Sequence, residues 1–175
     1  MLTTEQEKWV AHLRDDDQIT IKPYDPTAPA KFEAVKKRLQ SALGGNLKIE
    51  HRGATSLGIS GQDEVDVYVP VIPEQFDDLL SSLVKILGEP RSLYPLERAR
   101  FVTNESGKHI DVFLVNKASP DWINACSFEK YLRENPKTLD AYRKLKEGCD
   151  GLSTREYYRR KIEFINSINI KIQSR

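Results

Sequence analysis

The sequence predicts an α+β protein: a mixed β-sheet flanked by helices, with a helical C-terminal third. Three observations carry that reading. Residues 65–71 are rich in β-branched side chains and alternate as a strand does, and 109–115 is a further strand candidate. Segments with apolar residues at helical spacing lie before and between them. After Ser119-Pro120 every remaining pattern is helical, over residues 121–133, 137–147 and 154–172, with breaks at Asn135-Pro136 and residues 148–151.

Taken in order, Thr3 or Thr4 caps a helix running to about Leu13, with Glu7 completing a capping box and Trp9, Val10 and Leu13 forming an apolar stripe. Asp15-Asp16-Asp17 ends it and reads as a solvated connecting loop, because adjacent carboxylates repel and diverge. Ile19-Thr20-Ile21 reads as a short strand stopped by Pro23 and Pro26. Phe32, Val35, Leu39 and Leu43 mark a helix over 29–43 that Gly44-Gly45 terminates, and a strand over 47–51 follows. Beyond the 65–71 strand, Phe76, Leu79, Leu80, Leu83 and Leu87 share one face of a helix over 73–87, closed by Gly88. Residues 98–103 and 109–115 then form two strands joined by the polar turn 104–108, so their pairing is antiparallel and the sheet mixed.

A chain of 175 residues suits a single domain spanning 1–175, with residues 1–14 an outer helix and 120–175 the helical part. A net charge of +1 gives no global electrostatic case for nucleic acid or a membrane, and no run approaches the apolar length of a membrane span. Cys126 and Cys149 have no metal-ligand spacing and read as reduced thiols; with no signal-peptide pattern, a cytoplasmic protein is expected.

The chemistry concentrates in two short stretches and one later strand. His51-Arg52-Gly53-Ala54-Thr55-Ser56 is a glycine-containing turn with hydroxyls, where a phosphate can approach the backbone. Glu64 and Asp66, two apart on a strand, point to one face, and Asp111 interrupts another apolar strand. Carboxylates are costly to bury unless paired or bound to a cation, and three hard oxygen donors suit Mg²⁺ or Mn²⁺ with a phosphate partner. The alternative is an ordinary solvated sheet face.

Turn, acidic-hydrophobic-acidic strand and later acidic strand, in that order, resemble the nucleotidyltransferase superfamily, through Gly53-Ala54, Glu64-Val65-Asp66-Val67 and Ile110-Asp111-Val112. Within it the chain most closely resembles the GrpB family, also called UPF0157. The residues that carry this likeness are 21–26, Phe32, 49–56, 109–115, 128–133 and 157–165. The resemblance implies a nucleotidyltransferase-like fold and a bound nucleoside triphosphate with Mg²⁺ or Mn²⁺. Gly53, Ala54, Thr55 and Ser56 would sit at the phosphates, and Glu64, Asp66 and Asp111 would act as metal ligands and catalytic groups. Ala54 stands where the superfamily often has serine, Glu64 where it more often has Asp, and Gln62-Asp63 where the family often has Lys-Gly or Lys-Pro.

Arg98 and Arg100, on one strand face, are further phosphate candidates, as is Lys161, which matches a family position. The alternative for the arginines is a surface pair with Glu97 or Glu105. His51 and His109 read as structural, as a general base, or as base-stacking groups, and Tyr24 and Tyr131 as packing or nucleobase platforms. The expected activity is metal-dependent transfer of a nucleoside monophosphate from a triphosphate to an acceptor that the sequence does not name. A module that keeps the fold and binds nucleotide or anion without turnover is the alternative. A protein-interaction domain built on the C-terminal helices is a third reading.

Overall fold

The computed structural model describes residues 1–174. In chain order its elements are α1 (Thr4–Ala11), α2 (Ala28–Leu43), β1 (Glu50–Arg52), the single turn α3 (Gly53–Ser56), β2 (Glu64–Val71) and α4 (Phe76–Leu87). Then come β3 (Ser92–Tyr94), β4 (Arg98–Glu105), β5 (Lys108–Asn116), α5 (Pro120–Glu134), α6 (Pro136–Glu147) and α7 (Thr154–Gln173). The chain's contacts group into two compact units, one comprising Tyr24–Ile59 and Asp63–Ile123, the other the remaining described residues.

The first unit holds the whole sheet, ordered β1-β2-β5-β4-β3. The central pair β2 and β5 runs parallel, and every other pairing is antiparallel. Period-two alternation puts Val65, Val67, Val69 and Val71 on the same face as Ile110, Val112, Leu114, Ala99 and Phe101. That face is buried with Phe32, Val35 and Leu39 of α2 and Phe76 and Leu83 of α4 in one apolar cluster. The β4–β5 hairpin closes through Ser106 (φ 50°) and Gly107 (φ 81°), the two positive φ values a tight hairpin turn needs to match strand twist.

In the other unit Phe128, Tyr142 and Phe164 pack ring on ring, with Phe128 edge-on to Tyr142 at 5.4 Å and Tyr142 stacked on Phe164 at 5.3 Å. Ile19, Cys149 and Tyr157 form a second buried cluster there. No helix among the described residues is long and apolar enough to cross a membrane.

Several expectations change in detail. Thr3 caps α1, and the reciprocal partner is Gln6 rather than Glu7, because the third helical residue after Thr3 is Gln6. Glu7 instead meets Arg159 at 3.0 Å. The Asp15–Asp17 run is not a mere solvated loop. Asp17 accepts from the Thr154 amide (2.9 Å) and hydroxyl (2.7 Å), and Asp15 accepts from Ser153 Oγ (2.7 Å), so two of the three carboxylates serve the start of α7.

Ile19-Thr20-Ile21 is not a strand, because its backbone partners are a loop: Ile19 exchanges hydrogen bonds with Leu152 and Gly151, and the Ile21 amide donates to the Asp150 side chain at 2.8 Å. The strand expected over 47–51 is shorter and later, at Glu50–Arg52, and β3 is additional.

Candidate functional site

The second face of the sheet follows from register. Arg52 is opposite Asp66, Asp66 opposite Asp111, and Glu64 opposite His109. Residues opposite one another on neighbouring strands share a face, so Arg52, Glu64, Asp66, His109 and Asp111 project together, away from the apolar core. Arg100, two register positions from Asp111 along β4, joins them.

Glu64, His109 and Asp111 each offer a ligand atom, and these atoms lie within 4.8 Å of one another. Asp111 is 3% exposed and is held from two sides. Arg100 Nη2 lies 2.9 Å from its Oδ2, and His109 Nε2 lies 3.1 Å from its Oδ1. A buried carboxylate needs such partners, since an uncompensated charge there is costly.

Asp66 is not a member of that cluster; it lies against the Gly53 turn. Gly53 has φ +75°, and a Cβ at that position would sit 1.9 Å from Asp66 Oδ2. Only glycine satisfies both the backbone angle and the carboxylate's approach. The turn's hydroxyls are also engaged: Ser56 Oγ donates to the Gly53 carbonyl at 2.9 Å, and the Thr55 hydroxyl, buried, lies 2.9 Å from His51 Nε2. His51 also stacks on Phe32 at 4.7 Å, a packing role. Ala54 contributes its carbonyl, which accepts from the amides of Leu57 and Ile59.

Arg98 is exposed and lies over the Tyr94 ring at 5.1 Å, opposite Val115 rather than Asp111. Lys161 belongs to the other unit, where its ammonium sits over Tyr157 and Tyr158 at 5.8 and 5.2 Å. Farther along the strands the polar face becomes aromatic: Tyr68 stacks on Phe113 at 4.6 Å and tilts against Trp122 at 5.5 Å, and the Arg52 guanidinium lies 4.8 Å from the Trp122 ring centre.

Two residues acquire a part that sequence reading did not give them. His109 stands two positions before Asp111 on one strand, the same spacing that pairs Glu64 with Asp66, and that signal was available. Arg52 comes opposite Asp66 through the β1–β2 register, and no local signal reports that.

At the strand entry lies an ion cluster around a buried lysine. Lys108, 6% exposed, donates from Nζ to Asp25 at 2.9 Å and to Asp63. Burial alone would depress the Lys108 ammonium, but its hydrogen bonds to Asp63 and Asp25 outweigh that and raise its pKa. Asp25, hydrogen-bonded first by the Thr27 hydroxyl and then by Lys108, is held well below the usual carboxylate range.

A mixed sheet whose parallel central pair displays acidic residues, flanked by helices, defines an α+β protein with its candidate chemistry on the polar sheet face. The chain belongs to the GrpB family, whose model, described as GrpB protein, matches residues 18–171. It is 27% identical over 146 residues to a UPF0157 protein of Halalkalibacterium halodurans, covering 81% of this chain and 74% of that one. It is 28% identical over 131 residues to a UPF0157 protein of Vibrio cholerae, covering 73% and 69% respectively. In three dimensions it resembles the crystal structure of conserved protein GrpB from Enterococcus faecalis, with a TM-score of 0.61 over 88% of this chain and 94% of that one. At 24% identity this is a likeness in fold.

Proposed function

We propose that this chain binds a nucleoside triphosphate with a divalent cation on the acidic sheet face and transfers a nucleoside monophosphate to an acceptor hydroxyl. The observation that carries this is the convergence of Glu64, His109 and Asp111 within 4.8 Å on neighbouring strands. Two carboxylates and an imidazole fit a divalent ion, and the nitrogen donor favours Mn²⁺ over Mg²⁺, which prefers an all-oxygen shell. When bound, such an ion supplies charge neutralisation for the triphosphate oxygens.

The chain's own groups would do the rest. Arg100 orients Asp111 and adds positive charge beside the cluster, where an anionic ligand would sit. Asp66, seated against Gly53, fixes the turn beside the cluster. In the transfer the acceptor oxygen bonds to the α-phosphorus as the bond to the bridging oxygen breaks. Pyrophosphate leaves, and the hydroxyl proton passes to a cluster carboxylate.

Calorimetry with the four nucleoside triphosphates, with and without Mg²⁺ or Mn²⁺, tests the binding; pyrophosphate release in the presence of candidate acceptors tests turnover. Metal-dependent binding that Glu64→Ala and Asp111→Ala each weaken at least tenfold is expected, ~1.4 kcal/mol or more. No nucleotide binding under any metal would sink the proposal. The second reading, binding without turnover, draws on the Arg100–Asp111 pair at 2.9 Å, which already occupies one oxygen of the would-be catalytic carboxylate. Binding without pyrophosphate release under any acceptor would favour it.

A further inference from the structure

Three loops' worth of chain meet at the Lys108 ammonium: the segment entering α2 through Asp25, the segment entering β2 through Asp63, and the first residue of β5. The sequence neighbours of two of these groups are cluster members. Asp63 immediately precedes Glu64, and Lys108 immediately precedes His109, while Glu64 and His109 are themselves opposite one another in the parallel ladder. By strand alternation, Lys108 points to the face opposite the one that carries Glu64 and His109, and Asp63, the residue just before β2, reaches it with its carboxylate. One ion cluster thus ties the two strand ends together behind the two side chains that face the candidate ligand.

Asp63 has φ 66°, a left-handed conformation uncommon for a residue with a Cβ. Such backbone persists where surrounding contacts over-determine it. One such contact is Lys108, which is 6% exposed and therefore must keep its carboxylate partners. A slip of one residue between β2 and β5 would turn Glu64 away from His109, since parity decides the face.

We infer that Lys108 is a positioning residue for the candidate cation site: by clasping Asp63 and Asp25 it holds Glu64 and His109 in register on the opposite face of the sheet. This rests on the functional reading above for the ligand, but the register it fixes is measurable without one. Lys108→Met removes the clasp, Lys108→Arg keeps its charge, Asp63→Asn weakens one arm, and Leu83→Ala, on α4, lowers stability through the apolar cluster instead.

Amide hydrogen exchange over residues 63–66 and 108–111 is compared at matched global stability, together with Mn²⁺ titration monitored by electron paramagnetic resonance. Lys108→Met is expected to raise exchange in those two segments at least tenfold and to weaken Mn²⁺ binding at least tenfold. Lys108→Arg should restore most of both, and Leu83→Ala should leave both at wild-type values. Should Lys108→Met fail to fold, Asp63→Asn should show the same localised pattern to a smaller degree.

Exchange and Mn²⁺ affinity within twofold of wild type in Lys108→Met, or equal losses in Leu83→Ala, would overturn the inference. If the wild-type chain binds no Mn²⁺, the cation reading fails by itself, and the exchange pattern still decides the clasp.

Discussion

The two faces of the central strands differ more than any other two regions of the molecule. On one, Val65, Val67, Ile110 and Val112 are fully buried and meet α2 and α4. On the other, one residue out of step, stand Glu64, Asp66, His109 and Asp111. The same strands therefore supply stability through one set of side chains and candidate chemistry through the next. The rigid half explains how the other half can hold like charges close together: a packed sheet fixes their spacing, and folding energy need not come from the charged face itself.

That division can be broken by substitution. The largest effect is expected on the apolar face. Phe101→Ala, at a fully buried position, should cost about 3–5 kcal/mol in urea unfolding while leaving ligand affinity of the folded fraction unchanged. A loss of affinity without a loss of stability would contradict the division of labour.

Gly53→Ala comes next, and it sharpens the comparison because the strain falls at the border of the open face. Its Cβ would collide with Asp66 Oδ2, and φ +75° disfavours any side chain, so a loss of about 1–3 kcal/mol and a displaced Asp66 are expected. A crystal structure of the variant with Asp66 unmoved would show that the turn yields instead.

The smallest effect is a pH dependence at the strand entry. Asp25 titrates below its ordinary value of 3.8 in the folded chain, so its contribution is complete above that value and is lost as pH falls below it. Lys108 titrates above its ordinary value of 10.5, so its contribution is complete below that value and is lost as pH rises through the folded value. Urea midpoints should form a plateau between roughly pH 5 and pH 9 with respect to these groups, and Asp25→Asn should flatten its acid edge. An unchanged acid edge in that variant would assign the fall to other carboxylates.

Much of the fold was legible because its central elements are locally patterned. The alternation of β2, the apolar run of β5 and the apolar stripe of α4 are each visible within a dozen residues, and their bounds moved by at most three positions. Less could be read where an element exists only by virtue of a distant partner. The three residues of β3 pair with Arg98–Arg100 and have no pattern of their own, whereas Ile19-Thr20-Ile21 has a strand's composition but only loops to bond with.

The candidate site divides in the same way. The spacing of Glu64 and Asp66 was readable, and so was the placing of Asp111 within an apolar strand. Which of them cluster depends on side-chain direction and on the turn at Gly53, so the grouping of Glu64 with His109 and Asp111, and of Asp66 with Gly53, needed coordinates. Asp17 shows the converse, since its partner Thr154 lies 137 positions away and no local rule connects them.

The parallel pairing of β2 with β5 also sets an order of events during synthesis. Asp63 and Lys108 are 45 positions apart, whereas β4 and β5 close through a two-residue turn. Long-range parallel contacts form after local hairpins, because more chain must be closed before any contact rewards it. A ribosome making this chain from its first residue completes Glu64 well before His109 and Asp111 are translated. Until β5 has emerged and docked, the first carboxylate has no partners, so a half-made chain carries none of the candidate site's affinity.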